Sequence, residues 1–211
     1  MARIKALIFD MDGVLIDAKD WHYEALNRAL ELFGMPISRY DHLVTYDGLP
    51  TSEKLSMLSR ERGLPLGLHA LLKDLKQQYT MQLIHAHCKP VFQHQYALAR
   101  LRDEGYRLAL CSNSIARTIE LMLDKADLAK YFEFFLSNQD VSRPKPHPEM
   151  YQIAIARLQV SARESLVIED NENGVKAATD AGAHVLRVAG VEDVYYEAIK
   201  HRIREREEQN A

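Results

Sequence analysis

Four clusters of residues in this chain have types and spacings suited to chemistry. The first is Phe9-Asp10-Met11-Asp12-Gly13-Val14, where two acids one residue apart follow an apolar run and a glycine stands where the chain must turn. If a strand ends there, both carboxylates reach one crevice; taken alone, the pair serves equally well as two turn acids. The second is Ile168-Glu169-Asp170-Asn171-Glu172-Asn173-Gly174, again acids behind an apolar run, and on its own it reads also as an acidic turn into a helix. The third, Cys111-Ser112-Asn113-Ser114, offers hydroxyls and free N–H groups at an expected helix start, which is either an anion site or a plain serine cap. The fourth is Ser142-Arg143-Pro144-Lys145-Pro146-His147-Pro148, in which three prolines fix φ around one lysine and hold its charge in place.

No cluster decides the matter, but the four together do. Two carboxylates about 4 Å apart repel by roughly 4 kcal/mol at an effective dielectric near 20. Asp10, Asp12, Glu169 and Asp170 gathered on one edge therefore require a cation. Oxygen donors suit Mg²⁺, which keeps waters and meets substrate phosphates. With Lys145 and an anion-binding Ser112 beside it, such an edge points to phosphoryl chemistry.

The elements that must position these residues follow from periodicity. Short apolar runs at 6–9, 108–111, 166–168 and 185–188, with a weaker one at 134–136, read as buried strands. Helical patterns at 93–104, 115–125, 148–158, 173–181 and 194–207 alternate with them, so the fold class is α/β, a doubly wound parallel sheet. Ligands of such sheets bind outside the carboxyl ends of the strands, where all four clusters fall. Between the first two strands the pattern is helical. Asp17 is expected to cap a helix through Phe33, with Trp21, Ala25, Ala29 and Phe33 on one face, followed by helices at 51–62 and 68–85. The expected domains are thus an α/β core of residues 1–17 and 90–211 and an inserted helical domain of residues 18–89.

The chain has 211 residues, 47% of them apolar, with 27 Lys+Arg against 30 Asp+Glu, a formal charge of −3. That balance lacks the basic field a nucleic-acid binder needs and favours a small-molecule partner. Cys88 and Cys111 form no CxxC pair, so no zinc site or disulfide framework is signalled, and a reducing cytoplasm fits. The charged segment 1–5 is followed by an apolar run too short for a signal peptide, and no stretch reaches the length of a membrane span. The sequence reads as cytoplasmic, with neither membrane nor nucleic acid as partner, and as a monomer or weak dimer. In His85-Ala86-His87-Cys88 the spacing does not gather metal ligands on one helix face.

In order and spacing, Asp10-Met11-Asp12-Gly13-Val14, Ser112, Lys145 and Glu169-Asp170 resemble the four motifs of the haloacid dehalogenase-like superfamily over nearly the whole chain. The likeness is greatest to its sugar-phosphate phosphatases and β-phosphoglucomutase-like members. The resemblance implies a Rossmann-like core, a mobile helical cap formed by the insertion, and a Mg²⁺ cofactor. It implies that Asp10 is a nucleophile forming an aspartyl phosphate and that Asp12 is the acid and base. Ser112 and Asn113, with Lys145, would hold phosphate; Asp10, the backbone carbonyl of Asp12 and Asp170 would hold metal, with Glu169 a further ligand or an orienting group. His22, Tyr46, Asp47, Thr51 and Lys54 are the candidate substrate contacts from the cap.

The departures from the pattern also inform. Asp12 separates this chain from dehalogenases, which lack that second acid. Gly48-Leu49-Pro50-Thr51-Ser52 holds no arginine to grip a sugar's far phosphate, and the mutase Lys-Asn pair after Ser112 is missing. A phosphatase acting on a small phosphate ester is therefore favoured over a phosphomutase, the alternative. A receiver-type signalling module is disfavoured by Asp10 on the first strand and by the insertion.

Overall fold

The structure, a computed structural model, describes residues 3–209. Residues 1 and 2 of the charged N-terminal segment and residues 210 and 211 of the expected core lie outside the described residues. The strands are β1 (Ala6–Phe9), β2 (Arg107–Cys111), β3 (Phe134–Leu136), β4 (Ser165–Glu169) and β5 (His184–Arg187). The helices are α1 (Lys19–Glu31), α2 (Arg39–Asp41), α3 (Thr51–Arg62), α4 (His69–His87), α5 (Phe92–Asp103), α6 (Ala116–Lys125), α7 (Glu149–Arg157), α8 (Glu172–Asp180) and α9 (Tyr196–Gln209). They belong to two compact units, one running to Asp17 and resuming at Lys89, the other spanning Ala18–Cys88.

The first unit is built on one sheet in the order β3-β2-β1-β4-β5, every neighbour parallel. Both faces of its central strands are buried, as parallel crossovers demand. On one face Ala6, Ile8, Ala109, Cys111 and Val167 pack with Met150, Tyr151 and Ala154 of α7 and Ala177 and Ala178 of α8. The register sets Phe9 beside both Leu110 and Ile168. Asp10, Ser112 and Glu169 therefore emerge together at the carboxyl edge, flanking the central strand.

The second unit is helical. Alternation at helical period puts Leu26, Ala29 and Leu30 of α1 against Leu55 and Leu58 of α3 and Leu72 of α4. Asn27, buried inside this core, accepts from the Ile37 N–H at 2.9 Å and donates to the Ile37 carbonyl at 2.8 Å, satisfying backbone that no helix serves. Residues 39–46 are a turn of α-helix followed by one of π-helix, His42–Tyr46, for which the sequence offers no periodic signal.

Three local expectations are corrected. Asp17 does not cap α1: Ala18 occupies the N-cap position and makes no side-chain bond, so Asp17 lies one residue too early to reach the first N–H groups. That helix also stops at Glu31, where Gly34, at φ +66, turns the chain in a conformation open to glycine. After β2, α6 begins only at Ala116 behind Ile115, so Ser112, Asn113 and Ser114 form a turn ahead of the helix and are not its first N–H groups.

Candidate active site

The chain leaving β1 curls tightly. The N–H groups of Val14, Leu15 and Ile16 converge on the Met11 carbonyl, at 3.3, 3.0 and 3.0 Å, while Gly13, at φ +86, donates to the Ile16 carbonyl at 2.7 Å. A residue with a Cβ is strained there, which explains the glycine of the first motif. The curl separates the two acids: Asp10 points into the buried centre, and the Asp12 carboxylate accepts from Ser114 Oγ at 3.0 Å and Ser112 Oγ at 3.3 Å.

Lys145 is the hub. Its ammonium, 3% exposed, donates to Asp10 Oδ1 at 2.7 Å, Glu169 Oε1 at 2.7 Å and the Cys111 carbonyl at 2.8 Å. An ammonium has three hydrogens, so all are committed to protein acceptors. Burial alone would lower its pKa, but the carboxylates of Asp10 and Glu169 outweigh that and hold the group protonated. The loop carrying it is fixed by more than its prolines. Asn113 clamps the Lys145 backbone from both sides, accepting from its N–H at 3.1 Å and donating to its carbonyl at 3.0 Å. Glu149 accepts from the Ser142 and Arg143 N–H groups at 2.7 and 3.1 Å. The side chain of Asn113, expected near phosphate, is thus engaged in holding Lys145.

At the end of β4, Glu169 is 1% exposed and packs where Gly174 of α8 leaves room: a Cβ on Gly174 would lie 1.8 Å from Glu169 Oε1. Glu169 Oε2 accepts from the Asp170 N–H at 3.2 Å. Tyr151, a fully buried residue of α7, donates to Glu169 Oε1 at 2.6 Å, and its ring stands 4.8 Å from the Lys145 ammonium. Burial first, and then Glu169, push the tyrosine well above its ordinary pKa, so the hydroxyl stays a donor. The Cys111 thiol, buried beneath Lys145, is pushed up to about 12 and is inert at neutral pH.

The electrostatic balance leaves an excess of negative charge at the strand ends. Asp10 is held well above the usual carboxylate range, by burial chiefly and then by Glu169, with Lys145 opposing and Asp12 and Asp170 adding to the rise. One ammonium pairs with two carboxylates, Asp10 and Glu169, while Asp12 and Asp170 add negative charge that acts on Asp10. Carboxylate oxygens of Asp10, Glu169 and Asp170 lie within 4.8 Å of one another. An all-oxygen donor set of this charge fits a hard divalent cation.

The expected core-site residues are therefore brought together: Asp10, Lys145, Glu169 and Asp170 in one cluster, Asp12 with Ser112 beside it. The Asp12 side chain is not in the metal-type cluster; its bonds run to the β2 turn. Ser114, one of the hydroxyls expected of its cluster, turns out to bond Asp12 beside Ser112. One participant has no signal of its own in the sequence. Tyr151 sits in an apolar helix face, and only the rule that a buried tyrosine hydroxyl seeks a partner points to it.

The other candidates belong to the helical unit. His22 Nδ1 pairs with Lys76 Nζ at 3.2 Å. Tyr46 is part of that unit's own core and donates to Glu61 at 3.2 Å. Asp47 lies 4.0 Å from His42, Thr51 opens α3, and Lys54 is buried on the same helix. Among the described residues no helix is long and apolar enough to cross a membrane.

Comparison with known proteins gives a consistent result. Residues 7–188 match the family described as haloacid dehalogenase-like hydrolase. A phosphorylated carbohydrates phosphatase of Thermotoga maritima is 31% identical over 197 residues, covering 89% of this chain and 85% of its own. A phosphoglycolate phosphatase of Salmonella typhi is 24% identical over 205 residues, covering 86% and 80%. A β-phosphoglucomutase structure from Clostridium difficile superposes with a TM-score of 0.82 at 22% identity, covering 96% of this chain and 98% of that one, a likeness of fold.

Proposed function

The chain belongs to the haloacid dehalogenase-like hydrolase family and is an enzyme, and from that premise we propose that it is a Mg²⁺-dependent phosphatase of small phosphorylated metabolites, phosphorylated carbohydrates first among them. The observation that carries the reading is the buried Lys145 ammonium, 2.7 Å from both Asp10 and Glu169, at the carboxyl edge of the central strand. A lone cation locked between carboxylates orients a nucleophile and offsets the charge of an approaching phosphate, without needing a direct bond to it.

Asp10 attacks phosphorus in line and forms an aspartyl phosphate while the ester oxygen departs. Asp12, turned aside by Ser112 and Ser114, gives the departing oxygen its proton and later takes one from the water that attacks the same phosphorus. That second displacement releases inorganic phosphate and restores the Asp10 carboxylate, so the hard displacement is split in two. Ser112 and the N–H of Asn113 bind phosphate oxygens. Asp10, Asp170 and the Asp12 carbonyl would hold Mg²⁺, which when bound would supply positive charge to offset that of the transferring phosphoryl group. Specificity is assigned to His22, Tyr46, Asp47, Thr51 and Lys54 of the helical unit, Tyr46 and Lys54 being buried within that unit. The phosphatase relatives and the missing arginine in 48–52 speak for hydrolysis over phosphate migration.

Purified protein should release p-nitrophenol from p-nitrophenyl phosphate with Mg²⁺ and lose that activity to chelator. Asp10→Asn should lower kcat by at least about 1,000-fold. Undiminished turnover by that variant would remove Asp10 as nucleophile. A panel of sugar, polyol and acid phosphates then identifies the leaving group.

A further inference from the structure

One buried hydroxyl in the site has no task in the reaction just described. We propose that Tyr151 is a positioning residue: its hydroxyl commits Glu169 to Lys145 and keeps that carboxylate out of the metal's coordination. The inference rests on the phosphatase reading for its kinetic consequence but not for its structural one.

Glu169 Oε1 accepts from Tyr151 Oη at 2.6 Å and from Lys145 Nζ at 2.7 Å. A carboxylate oxygen has two lone-pair sites, so this one is filled. Both bonds are charge-assisted, the stronger kind. The second oxygen accepts from the Asp170 N–H at 3.2 Å, and the bare Cα of Gly174 lets the whole group seat against α8. Three carboxylates lie close enough to share one cation, and Tyr151 bonds only to Glu169 among them. Lys145 bonds both Asp10 and Glu169, but only Glu169 has its bonded oxygen filled by a second donor, and that sorts it from Asp10 and Asp170, which would hold the metal. The tyrosine ring adds a second restraint, since the ammonium also sits within cation–π reach of its face, 4.8 Å away. A phenylalanine would preserve that ring and remove only the bond to Glu169.

Tyr151→Phe is therefore the test, in the full-length protein. With the hydroxyl gone, Glu169 Oε1 regains a lone pair and turns toward the cation. Titration calorimetry of Mg²⁺ alone into the variant should show binding tightened severalfold, while kcat for p-nitrophenyl phosphate falls about 10- to 100-fold and KM stays within twofold. Glu169→Gln should lower kcat comparably. The double variant should be no worse than Glu169→Gln alone, because Tyr151 acts through that side chain. A Mg²⁺ isotherm in Tyr151→Phe identical to that of the natural protein would overturn the proposal, even if the melting temperature fell, since that is the signature of a merely structural tyrosine. Additive losses in the double variant would overturn it as well. Should the natural protein hydrolyse no phosphate ester, the proposed function fails, while the calorimetric comparison still decides the role of Tyr151.

Discussion

The strand ends of the α/β unit and the helices of the inserted unit both bury ionisable side chains, and they treat them in opposite ways. Lys145 is 3% exposed and every one of its hydrogens meets an acceptor. His42, on the π-turn of the helical unit, is 1% exposed, and among the described residues neither ring nitrogen has a hydrogen-bond partner; its neighbours are the Tyr23 ring at 5.1 Å and Asp47 at 4.0 Å. The first arrangement fixes charge in place before any substrate arrives, which is how electrostatic catalysis avoids reorganisation. The second leaves a titratable group to the medium around it, so its contribution to stability depends on pH.

The sharpest way to break the comparison is to remove the hub. Lys145→Met leaves Asp10 and Glu169 buried without their cation, an arrangement that typically costs about 3–5 kcal/mol. Urea unfolding should show a loss of that size, and kcat should fall at least 100-fold. A variant of undiminished stability would mean that the ion pairs at 2.7 Å contribute nothing and that the strand-end unit is no more tightly specified than the helical one.

Next in size is the seat of Glu169. Gly174→Ala places a methyl 1.8 Å from a carboxylate oxygen that Lys145, Tyr151 and β4 all hold. Although alanine is the better helix former by about 1 kcal/mol, the clash should prevail, with a net loss of about 1–3 kcal/mol and a sharp drop in kcat. Gly67 of the helical unit has nothing within 4 Å of an added Cβ, and Gly67→Ala should change the urea midpoint little or raise it slightly. Equal tolerance at the two positions would contradict the contrast.

His42 carries the third test. Its pKa is lowered to about 4, by burial chiefly, then by Lys54 of α3, against the pull of Asp47, with His22 lowering it and Asp20 of α1 raising it in smaller measure. The unfolded chain takes up the proton near pH 6.5 and the folded one only near 4, so acid favours unfolding between those values. The associated stability, about 3 kcal/mol, is fully present above pH 6.5 and is lost as pH falls to 4. His42→Phe should flatten the urea-stability profile across that window, and an unchanged slope would show that another group carries it.

What was legible in the sequence divides along the same line. Parallel strands are continuous apolar runs, so 6–9, 108–111 and 166–168 announce themselves, and register then carries Asp10, Ser112 and Glu169 to one edge without further instruction. Lys145 was legible because prolines flank it. The partners that lock these residues were not: Tyr151 sits in a helix whose apolar period explains it already, and Gly174 reveals its purpose only once Glu169 is seen where its Cβ would be. In the helical unit, periodicity found α3 and α4 but not the turn at 39–46, which is too short for a period and whose π-helical hydrogen bonding no pattern encodes. Asp17 failed as a cap for a related reason: cap geometry turns on a single residue, and Ala18 took the position.

The smallest expected effect separates distance from environment. Arg39 and Asp20, in the helical unit, approach to 2.8 Å, nearly the 2.7 Å of Lys145 and Asp10, but their side chains are 60% and 61% exposed against 3% and 11%. Water already solvates the exposed pair, salt screens it, and holding two side chains in one geometry costs entropy. Arg39→Ala should therefore shift stability by less than about 0.5 kcal/mol, with the difference vanishing in 1 M salt. If the urea midpoint fell as far as in Lys145→Met, proximity rather than burial would set the strength of these contacts, and the distinction between the two units would collapse to a count of ion pairs.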